Sequence, residues 1–302
     1  MSKTKISTWL KRAKRPNIKK TFAKLRRVKK ITILIHVLAW SASLIWIIPF
    51  LGVVMASIRP MQEIVNGWWN FDVFTPTLRG FTEAWTSPPD APLSRAILNS
   101  ILVAIPSTFI PILIAALGAY SFARFKFPTR DLLFLAVVLL QTIPQQMVII
   151  PVFFLTIRIG LWNNYLGLIL VHTAFALPWQ ILFLRNFFSI LPVEVEEAAR
   201  IDGASYLKIF YKIVLPLSLP AIASLIALQF VWVWNDFFFA LTLIASPELR
   251  VATQAVASLH GRFIDWNIVA AGSIIVMIVP IAIYFALQRY YVRGIVAGSV
   301  KG

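Results

Sequence analysis

The sequence predicts an all-α membrane protein with six transmembrane helices, and three observations predict it. The 302 residues are 59% hydrophobic and only 14% charged, with a mean hydropathy of +0.78, whereas a soluble domain carries about a quarter charged residues. The apolar residues fall in long uncharged runs, and about 20 such residues cross a bilayer as a helix. Lipid offers no partners to backbone polar groups, so runs of that length must satisfy themselves as helices. Finally, Lys and Arg are distributed unevenly along the chain in a pattern that alternates with the runs.

Taken in order, the uncharged runs are residues 31–58, 96–123, 132–157, 159–184, 213–235 and 266–288. Residues 1–30 precede them with 13 Lys and Arg and no acid, so the net charge of +17 is mostly that tail and the rest of the chain is close to +4. A basic segment can bind nucleic acid, but one that leads straight into a span is expected to lie on anionic lipid headgroups in the cytoplasm. It is too long and too charged for a cleavable signal, and no small-residue cleavage site follows. With the N-terminus inside and six spans alternating, residues 1–30, 124–131, 185–212 and 289–302 face the cytoplasm and hold 23 of the 29 Lys and Arg. The positive-inside rule favours that orientation and puts both termini in the cytoplasm. The chain has no cysteine, which excludes disulfides, thiolate metal ligands and cysteine nucleophiles.

Outside, the largest segment runs from about Arg59 to Arg95 and is rich in aromatics, Pro, Asn and Asp. Trp68, Trp69 and Trp85 suit the headgroup level, or else an external partner. Pro106, Pro111, Pro144, Pro151, Pro178 and Pro280 each remove a helical hydrogen bond and are expected to bend their spans. No internal repeat is evident.

The inside segment between the fourth and fifth runs is not a plain linker. Pro192 suits a first helical turn, and Glu194, Glu196 and Glu197 suit the positive end of a helix dipole. Ala198 and Ala199 are small helix formers. Gly203 can take the left-handed conformation that ends a helix, and Ser205 can cap a second one. Leu207, Phe210, Tyr211 and Val214 then share a face at helical spacing, before Pro216 and Pro220 lead into the fifth run. Helix, glycine turn, helix describes either a hairpin resting on the membrane surface or a knob that docks on a partner.

The stretch Glu197-Ala198-Ala199, three residues, Gly203, nine residues, Ile213-Val214-Leu215-Pro216 resembles the EAA loop of bacterial and archaeal ABC importer permeases, met without a gap. Asn99-Ser100, Tyr120 to Arg124, Trp234 to Phe237, and the tail from Gln288-Arg289-Tyr290 to Lys301-Gly302 resemble one branch, the smaller six-span permease of maltose-type carbohydrate importers. The resemblance covers most of the chain from about residue 30; the basic tail of residues 1–30 is longer than that branch leads one to expect. It implies a type I ABC importer permease fold over residues 31–302 and a coupling loop at about 191–216. There Glu197, Ala198, Ala199, Asp202, Gly203 and Ala204 form a knob that enters a cleft on a cytoplasmic ATPase, with Pro216 at the return to the membrane. It also implies a second permease subunit forming a heterodimer, two ATPase subunits that bind ATP and Mg, an external substrate-binding protein, and a carbohydrate as cargo. The setting is the cell membrane of a bacterium or archaeon.

Polar residues inside a membrane are costly and mark candidate functional positions. Asp236 is the acid of the fifth span; Gln229, Trp232 and Asp236 share a face there, with Asn235 beside them. Gln141 and Gln145 share a face of the third run, His172 and Gln180 lie in the fourth, and Asn99 opens the second. Amides, a carboxylate and an aromatic platform suit a sugar, so Asn99, Gln141, Gln145, Gln229, Trp232, Asn235 and Asp236 are the candidate translocation path. Helix-to-helix hydrogen bonding is the competing explanation for each amide. A secondary transporter would be expected to show inverted repeats and several intramembrane charges. An enzyme would be expected to carry a catalytic motif, but HExxH, GxSxG and a Walker A loop are all missing, and His36, His172 and His260 are scattered. No catalytic or metal-binding residue, no cofactor of its own and no nucleic-acid partner is expected.

Overall fold

The computed structural model describes residues 18–86, 91–259 and 265–299, with side chains described between residues 30 and 288 of those ranges. Residues 1–17, His260, Lys301 and Gly302, and the side chains of Arg289 and Tyr290, lie outside the described residues. Every regular element among the described residues is helical. The chain divides into two compact units, 1–53 and 54–302. The first holds most of α1 (Ile18–Ser57), of which Lys30–Ser57 is long and apolar enough to cross a membrane. Leu34, Leu38 and Trp46 on it are exposed, as suits a helix covered by lipid. The boundary expected at residue 30 falls inside this continuous helix.

In the second unit the order is α2 (Met61–Val65), α3 (Arg79–Thr86), α4 (Leu93–Arg124), α5 (Arg130–Leu140), α6 (Gln145–Arg158), α7 (Tyr165–Ser189), α8 (Val193–Ile201), α9 (Tyr206–Leu217), α10 (Leu219–Trp234), α11 (Phe238–Leu243), α12 (Ala252–Ser258) and α13 (Trp266–Ser299). With α1, the helices α4, α7 and α13 make four long enough to cross a membrane. The pair α5 and α6 is bent by 96°, and α9 and α10 by 74°; if each pair is one span the total is six. The third run, where Pro144 was expected to bend the span, is interrupted outright. It breaks between Gln141 and Pro144, and the proline, which has no N–H to donate, sits just before the first turn of α6.

Of the six prolines expected to bend spans, only Pro144 sits at a break. Pro106 and Pro111 lie inside α4, Pro151 inside α6, Pro178 inside α7 and Pro280 inside α13. Two of these positions carry a visible compensation. Proline at position i leaves the carbonyl at i−4 without its helical donor. The carbonyl freed by Pro111 is that of Ser107, and Gln229 Nε2 on α10 donates to it at 3.1 Å. The carbonyl freed by Pro280 is that of Val276, and Trp234 Nε1, also on α10, donates to it at 3.1 Å. Side chains of a neighbouring helix re-satisfy the backbone, so the prolines become docking points for α10.

The bundle is built around α4 and α7, with α10 against both. Ala115, Ala116 and Ala119 of α4 are fully or nearly buried, and small side chains let helices approach closely where lipid supplies no hydrophobic drive. One apolar core gathers Leu93, Val103, Leu168, Trp234 and Phe239 near the start of α4. A second gathers Ile112, Tyr120, Leu184, Phe188, Phe210 and Val214 near its end.

Residues 59–78 form a clasp around a buried guanidinium. Arg59 bonds Glu63 at 2.9 Å and the carbonyls of Trp68 and Val73, and faces the rings of Phe71 and Phe74. Glu63 also accepts from Thr75 N at 3.1 Å. Burial pushes the Glu63 carboxyl up, but the hydrogen bonds from Thr75 and Arg59 and the Arg59 charge together outweigh it and hold it below its ordinary range. Trp69 and Trp85 are exposed and Trp68 is half-buried.

Candidate functional site

Two regions carry the candidate residues. The first is the loop between α7 and α10. Pro192 precedes α8, and Glu194 and Glu196 occupy its first turn. Gly203 takes φ +79 in the turn that follows, with open space where a Cβ would project. The glycine is there for its backbone conformation, since L-residues pay about 1–2 kcal/mol in that region. Ser205 caps the next helix by accepting from Lys208 N at 3.3 Å. These are the features the loop's grammar led one to expect.

Among the expected contact residues, Glu197, Ala198, Asp202 and Gly203 are exposed, whereas Ala199 and Ala204 are half-buried against the second core. Pro216 is exposed on the way into α10. The apolar face of α9 differs from the one its spacing suggested. Ile209, Phe210 and Val214 are buried, but Leu207 and Tyr211 are exposed. The helix widens to a π-turn over Phe210–Val214, so the regular 3.6-residue spacing that would put these four residues on one face does not hold there.

Glu196, one residue before the EAA stretch, escaped sequence reasoning as a distinct position. It is 6% exposed. Arg124 Nε at the end of α4 donates to its Oε1 at 2.7 Å, and Tyr120 OH donates to its Oε2 at 3.0 Å. Arg124 also donates to the Leu191 carbonyl at 3.1 Å. Two carboxylates in a row, one facing water and one buried on an arginine, were indistinguishable in the sequence. The signal that could have separated them was the Tyr–Arg pair four apart at the end of the second run.

The second region is the polar set inside the bundle, and it divides. Gln141 and Gln145, at the break between α5 and α6, line a cavity of about 620 Å³ with Phe175, Trp179, Leu228 and Trp232. Trp232 also lines a neighbouring cavity of about 580 Å³ with Asn235, Asp236 and Phe238. Cavities of this size suit a small organic molecule. Gln229 and Asn99 line neither. Gln229 is wholly buried, donating to the Ser107 carbonyl and accepting from Gln180 Nε2 at 3.2 Å. Asn99 Nδ2 donates to the carbonyls of Glu248 and Arg250 at 3.0 and 2.9 Å, and Ser100 Oγ accepts from Ala252 N at 2.8 Å. For these two amides helix pinning is the observed role, because each finds unpaired backbone carbonyls within reach.

Asp236 has a mixed setting. Its carboxylate accepts from Phe239 N at 3.3 Å and Ala240 N at 3.1 Å, capping α11. One oxygen lies 3.7 Å from His172 Nε2, beyond direct hydrogen-bond reach. His172 itself is buried, edge-on to Trp232 and Phe239. Asp236 thus fixes the break between α10 and α11 and, through it, the placement of Trp232 and Asn235 at the cavity edge.

A helical bundle with broken spans, a membrane cavity and an exposed two-helix knob defines a membrane transport component. Residues 107–297 match the family described as binding-protein-dependent transport system inner membrane component, and the chain belongs to that family. It is 49% identical over 267 residues to a probable ABC transporter permease protein of Pyrococcus horikoshii, covering 88% of this chain and 96% of the relative. It is 45% identical over 233 residues to the alpha-glucoside transport system permease protein AglG of Rhizobium meliloti, covering 75% and 60%. Its fold matches a chain of a bacterial ABC transporter involved in the import of alginate, with a TM-score of 0.74 at 23% identity, covering 88% and 98%. The chain is accordingly a membrane-embedded permease subunit of a binding-protein-dependent ABC transporter; ATP hydrolysis belongs to a separate subunit.

Proposed function

We propose that the chain is a permease subunit of a carbohydrate importer, crossing the membrane six times with both termini in the cytoplasm, each bent pair serving as one span. The α7–α10 loop docks into a cleft on a cytoplasmic ATPase. The cargo is a sugar, delivered by an external binding protein, and a second, non-identical permease subunit completes the path. The ATPase partner binds ATP and Mg.

The observation that carries this reading is the division of the loop into two faces. Glu197, Ala198, Asp202 and Gly203 are offered to water, while Glu196, Ile209, Phe210 and Val214 are held in the protein. The outward face mixes charged and small residues, Glu197, Ala198 and Asp202, with exposed apolar ones, Val195, Ile201 and Leu207, a mixture suited to close approach by a protein partner. The sugar assignment rests on the 45% identical alpha-glucoside relative and on the cavity chemistry. Trp232 and Trp179 supply flat apolar faces, and Gln141, Gln145 and Asn235 supply amides that bond hydroxyls. Rocking of packed helices after ATPase closure would convert one side's access to the other's.

The test is purification of the tagged chain in mild detergent, followed by reconstitution. A second permease and two ATPase copies at fixed stoichiometry, with sugar uptake that needs ATP and the binding protein, is the expected result. A chain that purifies alone and takes up sugar without ATP overturns the proposal.

A further inference from the structure

We infer that α4 is the element that receives the ATPase stroke, with Glu196, Arg124 and Tyr120 as positioning residues at one end and Asn99 and Ser100 delivering the movement at the other. The inference rests on the coupling reading above and goes beyond it, by naming which helix is driven and where the movement emerges.

Three observations carry it. First, the knob is tied to α4 by buried polar bonds: Glu196 of α8 accepts from Arg124 at 2.7 Å and from Tyr120 at 3.0 Å, and Arg124 reaches back to the Leu191 carbonyl before α8 begins. Both charges of the pair are about nine-tenths buried. A charge pair shielded from water cannot be stretched cheaply, because parting it leaves each charge unpaired in a poorly solvated site. A push on α8 therefore moves α4 rather than opening the joint. Second, α4 is continuous for 32 residues despite two prolines, about 48 Å at 1.5 Å per residue. The Ser107 carbonyl that Pro111 would leave bare is filled by Gln229, so Pro111 is braced rather than free to act as a hinge, and the helix runs on unbroken through Pro106. Third, the far end is also pinned. Asn99 donates to Glu248 and Arg250 carbonyls, and Ser100 accepts from Ala252 N. That segment leads into α12, whose Gln254 holds the carbonyls of Ala240 and Ile244 around α11. A displacement entering at Glu196 thus reaches, through one continuous helix, the segment beside the Asp236 break and the cavity edge.

The experiment uses the full complex with its second permease, ATPase and binding protein in proteoliposomes. It measures ATP hydrolysis, sugar uptake and cross-linking of an Ala198→Cys chain to the ATPase. Glu196→Gln removes the charge pair at nearly constant shape. It is expected to keep the cross-link and ATP hydrolysis, and to lower sugar taken up per ATP at least tenfold. Arg124→Lys keeps the charge and should recover part of that ratio. Asn99→Ala, at the far end, should lower the ratio about threefold or more with cross-link and hydrolysis unchanged. If Glu196→Gln fails to assemble, Asn99→Ala decides alone. Unchanged uptake per ATP in Glu196→Gln and Asn99→Ala overturns the inference, as does loss of the cross-link in Glu196→Gln, which would make Glu196 a shaper of the docking face. Absence of the cross-link in the otherwise unaltered complex counts instead against the coupling reading.

Discussion

The loop from Pro192 to Pro216 and the polar set inside the bundle use similar residue types to opposite effect. In the loop, charges are either exposed or paired: Glu197 and Asp202 face out, together with the apolar Ile201 and Leu207, and one carboxylate, Glu196, is buried on a matching arginine. Inside the bundle, polarity does not report exposure at all. Gln229 and Asn99 are buried on backbone carbonyls, while Gln141, Gln145 and Trp232 border open volume. The lesson is that the loop can leave a charge in water or pair it, but in the membrane both the lipid side and the packed side are apolar. There, a polar residue is sorted by whether an unpaired partner lies within reach.

The largest expected effect tests the loop. Gly203→Val should cut uptake at least tenfold while the protein still inserts, because φ +79 is unfavourable for a β-branched residue even though the space is open. Gly203→Asn should be far milder, since asparagine tolerates that region. Equal activity of the two variants would show that conformation is not what the turn requires.

Next in size is the split between path and pin. Trp232→Ala should raise the sugar concentration for half-maximal uptake about tenfold with little change in thermal stability. Gln229→Leu should do the reverse, costing about 1–2 kcal/mol by leaving the Ser107 carbonyl and Gln180 amide without a partner. The two effects are separable by an uptake titration and a thermal unfolding curve. If Pro111→Ala restores most of the Gln229→Leu loss, the freed carbonyl is confirmed as the reason for the glutamine.

A smaller effect is expected at Asp236. Asp236→Asn keeps an acceptor for the Phe239 and Ala240 amides and should retain most transport, whereas Asp236→Ala loses the cap, worth about 1 kcal/mol. Equal loss in both would assign the charge itself a role in transport. The smallest effect concerns the Arg59–Glu63 clasp. Because the folded carboxyl of Glu63 is held below its ordinary range, the clasp's contribution is complete above that range and lost as pH falls through the lower folded value. Tryptophan fluorescence from the Trp68–Trp69 segment should report the change only under acidic conditions, and not in Glu63→Gln.

Much of this was legible in the sequence, for identifiable reasons. The helices α4, α7 and α13 follow from uncharged length alone, and the loop's turn from Pro192, Gly203 and Ser205, whose effects are local. The bend at Pro144 was legible from the proline, but its 96° size was not, because hydropathy does not register direction. The π-turn over Phe210–Val214 has no simple periodic signal. Gln229 and Trp234 could have been assigned by looking four residues before each proline for carbonyls in need of donors. Asn99 could not, because its partners at 248 and 250 are distant in sequence and only the fold brings them together.

The most direct measurement is site-specific cross-linking on the naturally cysteine-free chain. Ala198→Cys on the exposed face of α8 and Ala199→Cys on its half-buried face should be compared in the assembled complex, each opposite a cysteine series lining the ATPase cleft. Efficient cross-linking is expected from position 198, little from 199, and the yield at 198 should change when ATP binds. Equal yields from both positions, or a position 198 that labels freely with water-soluble reagent in the intact complex, would contradict it.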